Sequence, residues 1–298
     1  MSGAIDLSGS ALYDIAHLQS VARQKLVAAI GEFTGSITTW LSGSLVEGLG
    51  NKSSDVDIFV LVEELSSSIP ATRRDADHFT LAFVSEGVRY DVEFWPKAGV
   101  LALAQKLSTL KLDDPEFNSN HYLSYWESEF IHRLAIGVAL YHQAEFETAR
   151  SWFDLKLFSG YLFENCLRRF DDAFDDSVGM LADNQLGMAA LRAREVMELA
   201  IDALLYASGI TNDKTKFRTV KLERLTKLFP EYLPYEKALW DFETSLPLTG
   251  AEQRQYAEAA LSFSSELIGT LQDRIHELKW GHVYDSREHH FPRLASVL

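Results

Sequence analysis

Apolar positions recur at helical spacing through residues 9–31, with Ser10 placed to cap that helix. The pattern then changes. Ile37–Gly43 and Asp55–Val62 are dense in β-branched and aromatic residues, and His78–Trp95 reads as a hairpin folded about Ser85-Glu86-Gly87. After Pro96 the strand signal nearly vanishes, and amphipathic helical stretches follow at 120–142, 145–176, 184–208, 216–229, 232–245 and 250–279. Breaks fall at Asp113-Asp114-Pro115, Ser208-Gly209, Pro230, Pro234 and Leu248-Thr249-Gly250. The pattern predicts an α+β chain: an N-terminal α/β domain over 1–110 and a C-terminal α-helical bundle over 111–298.

One strand breaks the apolar rule. Asp55 and Asp57 lie inside an otherwise buried run and are two residues apart, so on a strand both carboxylates leave the same face. Like charges that close raise each other's pKa unless a cation shares the site, and Mg²⁺ is a hard ion that takes such oxygens. Asp91 supplies a third acid on the hairpin, with Glu93 on the same face of that strand; Asp91 sits in the hydrophobic-Asp-hydrophobic setting and is preferred. Three such carboxylates from adjacent strands can hold two Mg²⁺ ions for phosphoryl or nucleotidyl transfer, and one of them can accept the proton of an attacking hydroxyl. Upstream, Gly43-Ser44 closes the first strand and offers backbone N–H groups and a hydroxyl as a corner for phosphates, and the LVEGLG segment after it could start a helix.

Charge narrows the partners. A formal net charge of -15 disfavours extended nucleic acid and suits a cationic small molecule, or a nucleotide carried in with metal ions. The chain has no apolar run long enough for a membrane span and no secretory pattern at its start, and its single cysteine, Cys166, reads as a core thiol. These features predict a cytoplasmic protein.

Gly43-Ser44, Asp55-Val56-Asp57 and a later strand bearing Asp91 together resemble the signature of the DNA polymerase β-like nucleotidyltransferase superfamily, over about the first 95 residues. The resemblance implies a nucleotidyltransferase domain with a mixed sheet and a Mg²⁺-dependent transfer of a nucleoside monophosphate from an NTP, with release of pyrophosphate. By position, Gly43 and Ser44 would contact phosphates, while Asp55, Asp57 and Asp91 would be the metal ligands and base. The layout of catalytic domain and helical bundle looks like that of the aminoglycoside-modifying members, which implies ATP as donor, a small cationic acceptor and a homodimer as one arrangement. A cyclic (oligo)nucleotide synthase, a protein- or tRNA-modifying transferase and an NTP-binding sensor are the other readings.

The helical region carries one basic stretch, Asn212–Lys227, in which Arg218, Lys221 and Arg224 share a face beside the apolar Leu222 and Leu225. Related two-domain enzymes bring a basic side chain from this region to the triphosphate, which makes Lys221 the nucleotide-binding candidate; a solvated basic face is the alternative. Trp126, Trp152, Trp240 and Trp280 read as packing residues between helices, and His289-His290 as an exposed pair without a metal.

Overall fold

Asp14 caps the first helix, α1 (Ile15–Ile30), by accepting from the Ala16 N–H at 2.9 Å. The computed structural model describes residues 14–31, 35–112, 122–212, 214–245, 247, 249–278 and 294–295. Ser10, the Asp113-Asp114-Pro115 and Leu248 breaks, Trp280 and His289-His290 lie outside the described residues. After α1 come β1 (Ser36–Ser42), β2 (Val56–Val62), the two-residue β3 (Arg73–Arg74), β4 (Phe79–Ser85) and β5 (Val88–Pro96). Helix α2 (Lys97–Ser108) follows, then α3 (Tyr125–Ala135), β6 (Val138–Tyr141) and α4 (Gln143–Ser151).

The strands form one mixed sheet in the order β3-β4-β5-β2-β1-β6. Only β2 and β5 pair in parallel; the other neighbours are antiparallel. Alternation divides the sheet into two chemically distinct faces. Val56, Ile58, Val60, Val92, Phe94 and Leu41 turn one way and pack with Ala22 and Leu26 of α1 in an apolar core. The intervening residues turn the other way. There Trp40 stacks on Phe59, with ring centroids 5.4 Å apart, and both meet Phe130 of α3.

The sequence pattern did not separate β6 from the helical stretch at 120–142. Four residues are too few to show a period of two against the strong helix before them, and Gly137 is the hinge: a Cβ there would meet the Trp40 ring at 2.5 Å and the Arg133 carbonyl at 3.0 Å. Because β6 bonds to β1, residues 123–155 pack with the sheet, whereas the sequence pattern placed everything after 110 in the bundle. The chain forms two compact units, one from the described parts of 6–109 and 123–155, the other from those of 110–122 and 156–298.

The second unit is helical: α5 (Leu155–Ala182), α6 (Leu186–Ala207), α7 (Arg218–Leu228), α8 (Leu233–Thr244) and α9 (Gly250–Leu278). α6 is its centre, with Ala193, Val196, Met197, Ala200 and Leu204 fully buried and α9 lying along it. α5 is tied to α6 by Ser177, which donates to the Ala189 carbonyl at 3.0 Å. Trp126 and Trp240, expected between helices, are about half exposed. Among the described residues no helix is long and apolar enough to cross a membrane.

Candidate active site

Register assembles the acids. Ser42 at the end of β1 pairs with Asp57 near the start of β2, and Asp57 pairs in parallel with Asp91 of β5. Parallel register partners present their side chains on the same face, so Asp57 and Asp91 stand side by side, with Glu93 and Trp95 further along β5 on that face. Asp55 immediately precedes β2, and its charge is felt at Asp57.

Gly43 supplies the floor. Its φ of 84° is left-handed, a conformation glycine adopts without steric cost, and a Cβ there would collide with Asp57 Oδ2 and Arg133 Nη1. The following segment is a single turn that does not continue as a helix, unlike the expectation for LVEGLG. Instead, Leu49 and Gly50 N–H groups both donate to the Ser44 carbonyl, at 2.7 and 2.8 Å, and the Glu47 N–H donates to the Gly43 carbonyl at 3.1 Å. These bonds spend the local backbone on closing the turn and hold the half-buried Ser44 at the end of β1.

Helix α3 completes the site with residues the sequence pattern did not single out. A capping box between Ser124 and Glu127 fixes its start, and a bond from Ser42 Oγ to the Arg133 carbonyl, 2.6 Å, fixes its end against β1. Arg133 Nη1 then donates to Asp57 Oδ2 at 3.1 Å, and its Nη2 donates to Glu129 Oε1 at 3.3 Å. The one available signal was the i,i+4 pair Glu129/Arg133 behind a capping box. It is an ordinary surface pattern, and only β6 turns that helix onto the acid face.

Burial dominates the electrostatics. It pushes the Asp57 carboxyl up to about 6; the Arg133 guanidinium opposes the rise, while Asp91, Asp55 and Glu129 add to it. Glu93 is pushed up to about 7, again mainly by burial, despite a 2.8 Å hydrogen bond donated by Trp95 Nε1. Asp91, partly exposed, is bonded by Arg89 Nε at 3.0 Å. A carboxylate kept costly in this way, over a glycine with no room for a side chain, fits a site built for a cation. Mg²⁺ ordinarily takes one or two carboxylates and completes its shell with water and phosphate oxygens. Asp57 with Asp91 fits that open arrangement; among the described residues no three His, Cys, Asp or Glu side chains are close enough to hold a metal by themselves.

Lys221 lies in the helical unit, fully buried, and its ammonium donates to the Thr211 carbonyl at 2.8 Å, so a triphosphate contact would require that bond to open. Arg218, expected on the same basic face, is also buried, with Nε and Nη2 on the two oxygens of Asp202 at 3.0 and 2.8 Å.

Residues 23–111 match the family described as nucleotidyltransferase domain. No functionally curated protein matches the chain. Among solved structures, the chain is similar to a nucleotidyltransferase-like protein from Exiguobacterium sibiricum 255-15, at 11% identity and a TM-score of 0.44, over 87% of this chain and 76% of that one.

Proposed function

Because residues 23–111 form a nucleotidyltransferase domain of the DNA polymerase β-like superfamily, we propose that the chain moves AMP from ATP to a hydroxyl of a small cationic acceptor of the aminoglycoside class, with pyrophosphate leaving. The observation that carries this reading is the register of Asp57 with Asp91 above the bare Cα of Gly43. The charge of -15 supports the choice of acceptor, since it concentrates polycations and repels polyanions.

In this reading Asp55, Asp57 and Asp91 hold two Mg²⁺ ions, which when bound would neutralise the triphosphate and stabilise charge on the attacking and leaving oxygens. Gly43 lets the phosphates approach the main chain, and Ser44 donates its hydroxyl to them. Asp91, partly exposed and in register with Asp57, takes the proton from the acceptor hydroxyl as its oxygen attacks the α-phosphorus.

The test is mass spectrometry of reactions with each NTP, Mg²⁺ and a panel of aminoglycosides, run beside Asp57→Asn. A gain of one nucleoside monophosphate on an acceptor, lost in the variant, is the expected result. Nucleotide oligomers formed without any added acceptor would instead assign a second nucleotide as acceptor. Undiminished turnover by Asp57→Asn would remove the carboxylate mechanism altogether.

A further inference from the structure

We propose that Arg133 is a built-in counter-ion that occupies the metal position at Asp57 in the ligand-free protein and gives way when a divalent cation binds. The inference rests on the reading of Asp57 as a metal ligand.

Three observations carry it. The guanidinium is seated directly on a carboxylate oxygen of Asp57, Oδ2, at 3.1 Å. It does not arrive by chance, because its own backbone carbonyl is held by Ser42 Oγ at 2.6 Å, one residue before Gly43. The same absent Cβ of Gly43 makes room for both the Asp57 carboxylate and the Arg133 head. The phosphate corner, the acid and the arginine therefore share one volume.

Arg133 also has a second seat. Glu129, one turn earlier on α3, accepts from Nη2 at 3.3 Å, and both side chains are largely buried. A fork with two carboxylates in reach can release one and keep the other, so displacement from Asp57 does not strand a buried charge. The physical benefit is in the free protein. A resident cation on Oδ2 holds the Asp57 carboxylate oriented until the substrate brings its own. The cost is reciprocal, because two cations that exclude each other from one carboxylate each weaken the other's hold.

Binding of Mn²⁺ alone to the purified full chain, without nucleotide, tests this by calorimetry. Arg133→Met is expected to bind Mn²⁺ roughly tenfold tighter than wild type, within the usual span of such couplings. Arg133→Lys keeps the charge but cannot fork across Asp57 and Glu129, so it should also bind more tightly than wild type, by a smaller factor. If Lys at 133 leaves the affinity unchanged, the arginine acts only through its field and the inference fails. The same holds if Arg133→Met binds equally or more weakly. Should Arg133→Met not fold without metal, the Lys variant decides alone; should wild type bind too weakly to measure, appearance of binding in either variant supports the inference and its non-appearance overturns it. Asp57→Asn separates the two layers. Loss of Mn²⁺ binding there with no gain in the Arg133 variants sinks the counter-ion alone, whereas wild-type binding by Asp57→Asn sinks the metal site as well.

Discussion

Gly43 lies against the carboxylate of Asp57 so closely that a side chain at 43 and the present position of Asp57 Oδ2 are mutually exclusive. The two are tied through the β1–β2 ladder, where Ser42 and Asp57 are partners. Gly43→Ala should therefore act more on chemistry than on folding. The colliding groups are ends of side chains that can swing away, so the stability cost is mainly that of the left-handed φ, about 1–2 kcal/mol. The displaced carboxylate is the expensive part, and a misplacement of about 1 Å is expected to lower kcat by roughly 100-fold. Parallel measurement of thermal stability and turnover checks the split; a variant that only unfolds more easily would contradict it.

Asp91 and Glu93 share a face of β5 but not an environment. Asp91 is open enough to meet substrate, whereas Glu93 is held by Trp95, whose ring is stacked on His78 with centroids 4.6 Å apart. Asp91→Asn is expected to reduce kcat by a factor on the order of 100 to 10,000, the usual worth of general acid–base catalysis, and Glu93→Gln by less than about tenfold. Steady-state rates of the two variants decide which is the third carboxylate. The reverse ranking would move that role to Glu93.

Glu93 should instead show itself in pH-dependent stability. Its carboxyl is raised from 4.5 to about 7, so the folded protein holds a proton that the unfolded chain has already lost in that interval. Its stabilising effect is complete below pH 4.5 and is lost as pH rises through about 7. Asp57 acts in the same direction between 3.8 and about 6. Melting of the metal-free protein across these intervals should show wild type losing on the order of 2 kcal/mol that Glu93→Gln does not lose, leaving the variant the more stable above pH 7. Parallel wild-type and variant profiles would mean that Glu93 is not buried as described.

The strands that carry the acids were legible because their signal is local. A β-branched run bounded by Gly43-Ser44, a second run opening on Asp55, and a hairpin about Glu86-Gly87 each announce themselves within ten residues or so. Asp55 and Asp57 could be set on one face in advance because a period of two fixes the face of each, whereas the pairing of Asp57 with Asp91 is a matter of register between strands. What pattern could not reach was long-range. β6 is four residues long and is a strand only because β1 offers it an edge, and it is β6 that turns Arg133 and Glu129 toward the site. The basic stretch of α7 shows the same limit: helical spacing shows which residues share a face, not what that face meets. Arg218 meets Asp202 and Glu198 of α6, and is buried with them.

The last test sets two buried cations of α7 against each other. Arg218 places two donors on Asp202 and one on Glu198, so Arg218→Met leaves a nearly buried Asp202 charge without its fork and should cost about 3–5 kcal/mol. Adding Asp202→Asn should recover part of that loss, and the double-mutant cycle reads the coupling directly. Lys221 bonds a neutral backbone carbonyl, so Lys221→Met is expected to cost less, about 1–3 kcal/mol, the penalty of an unmet buried acceptor. If the lysine serves packing alone, KM for the nucleotide stays within about twofold while the melting temperature falls. A tenfold rise in KM at unchanged melting temperature would return Lys221 to the triphosphate, and would require its bond to Thr211 to open when the nucleotide binds.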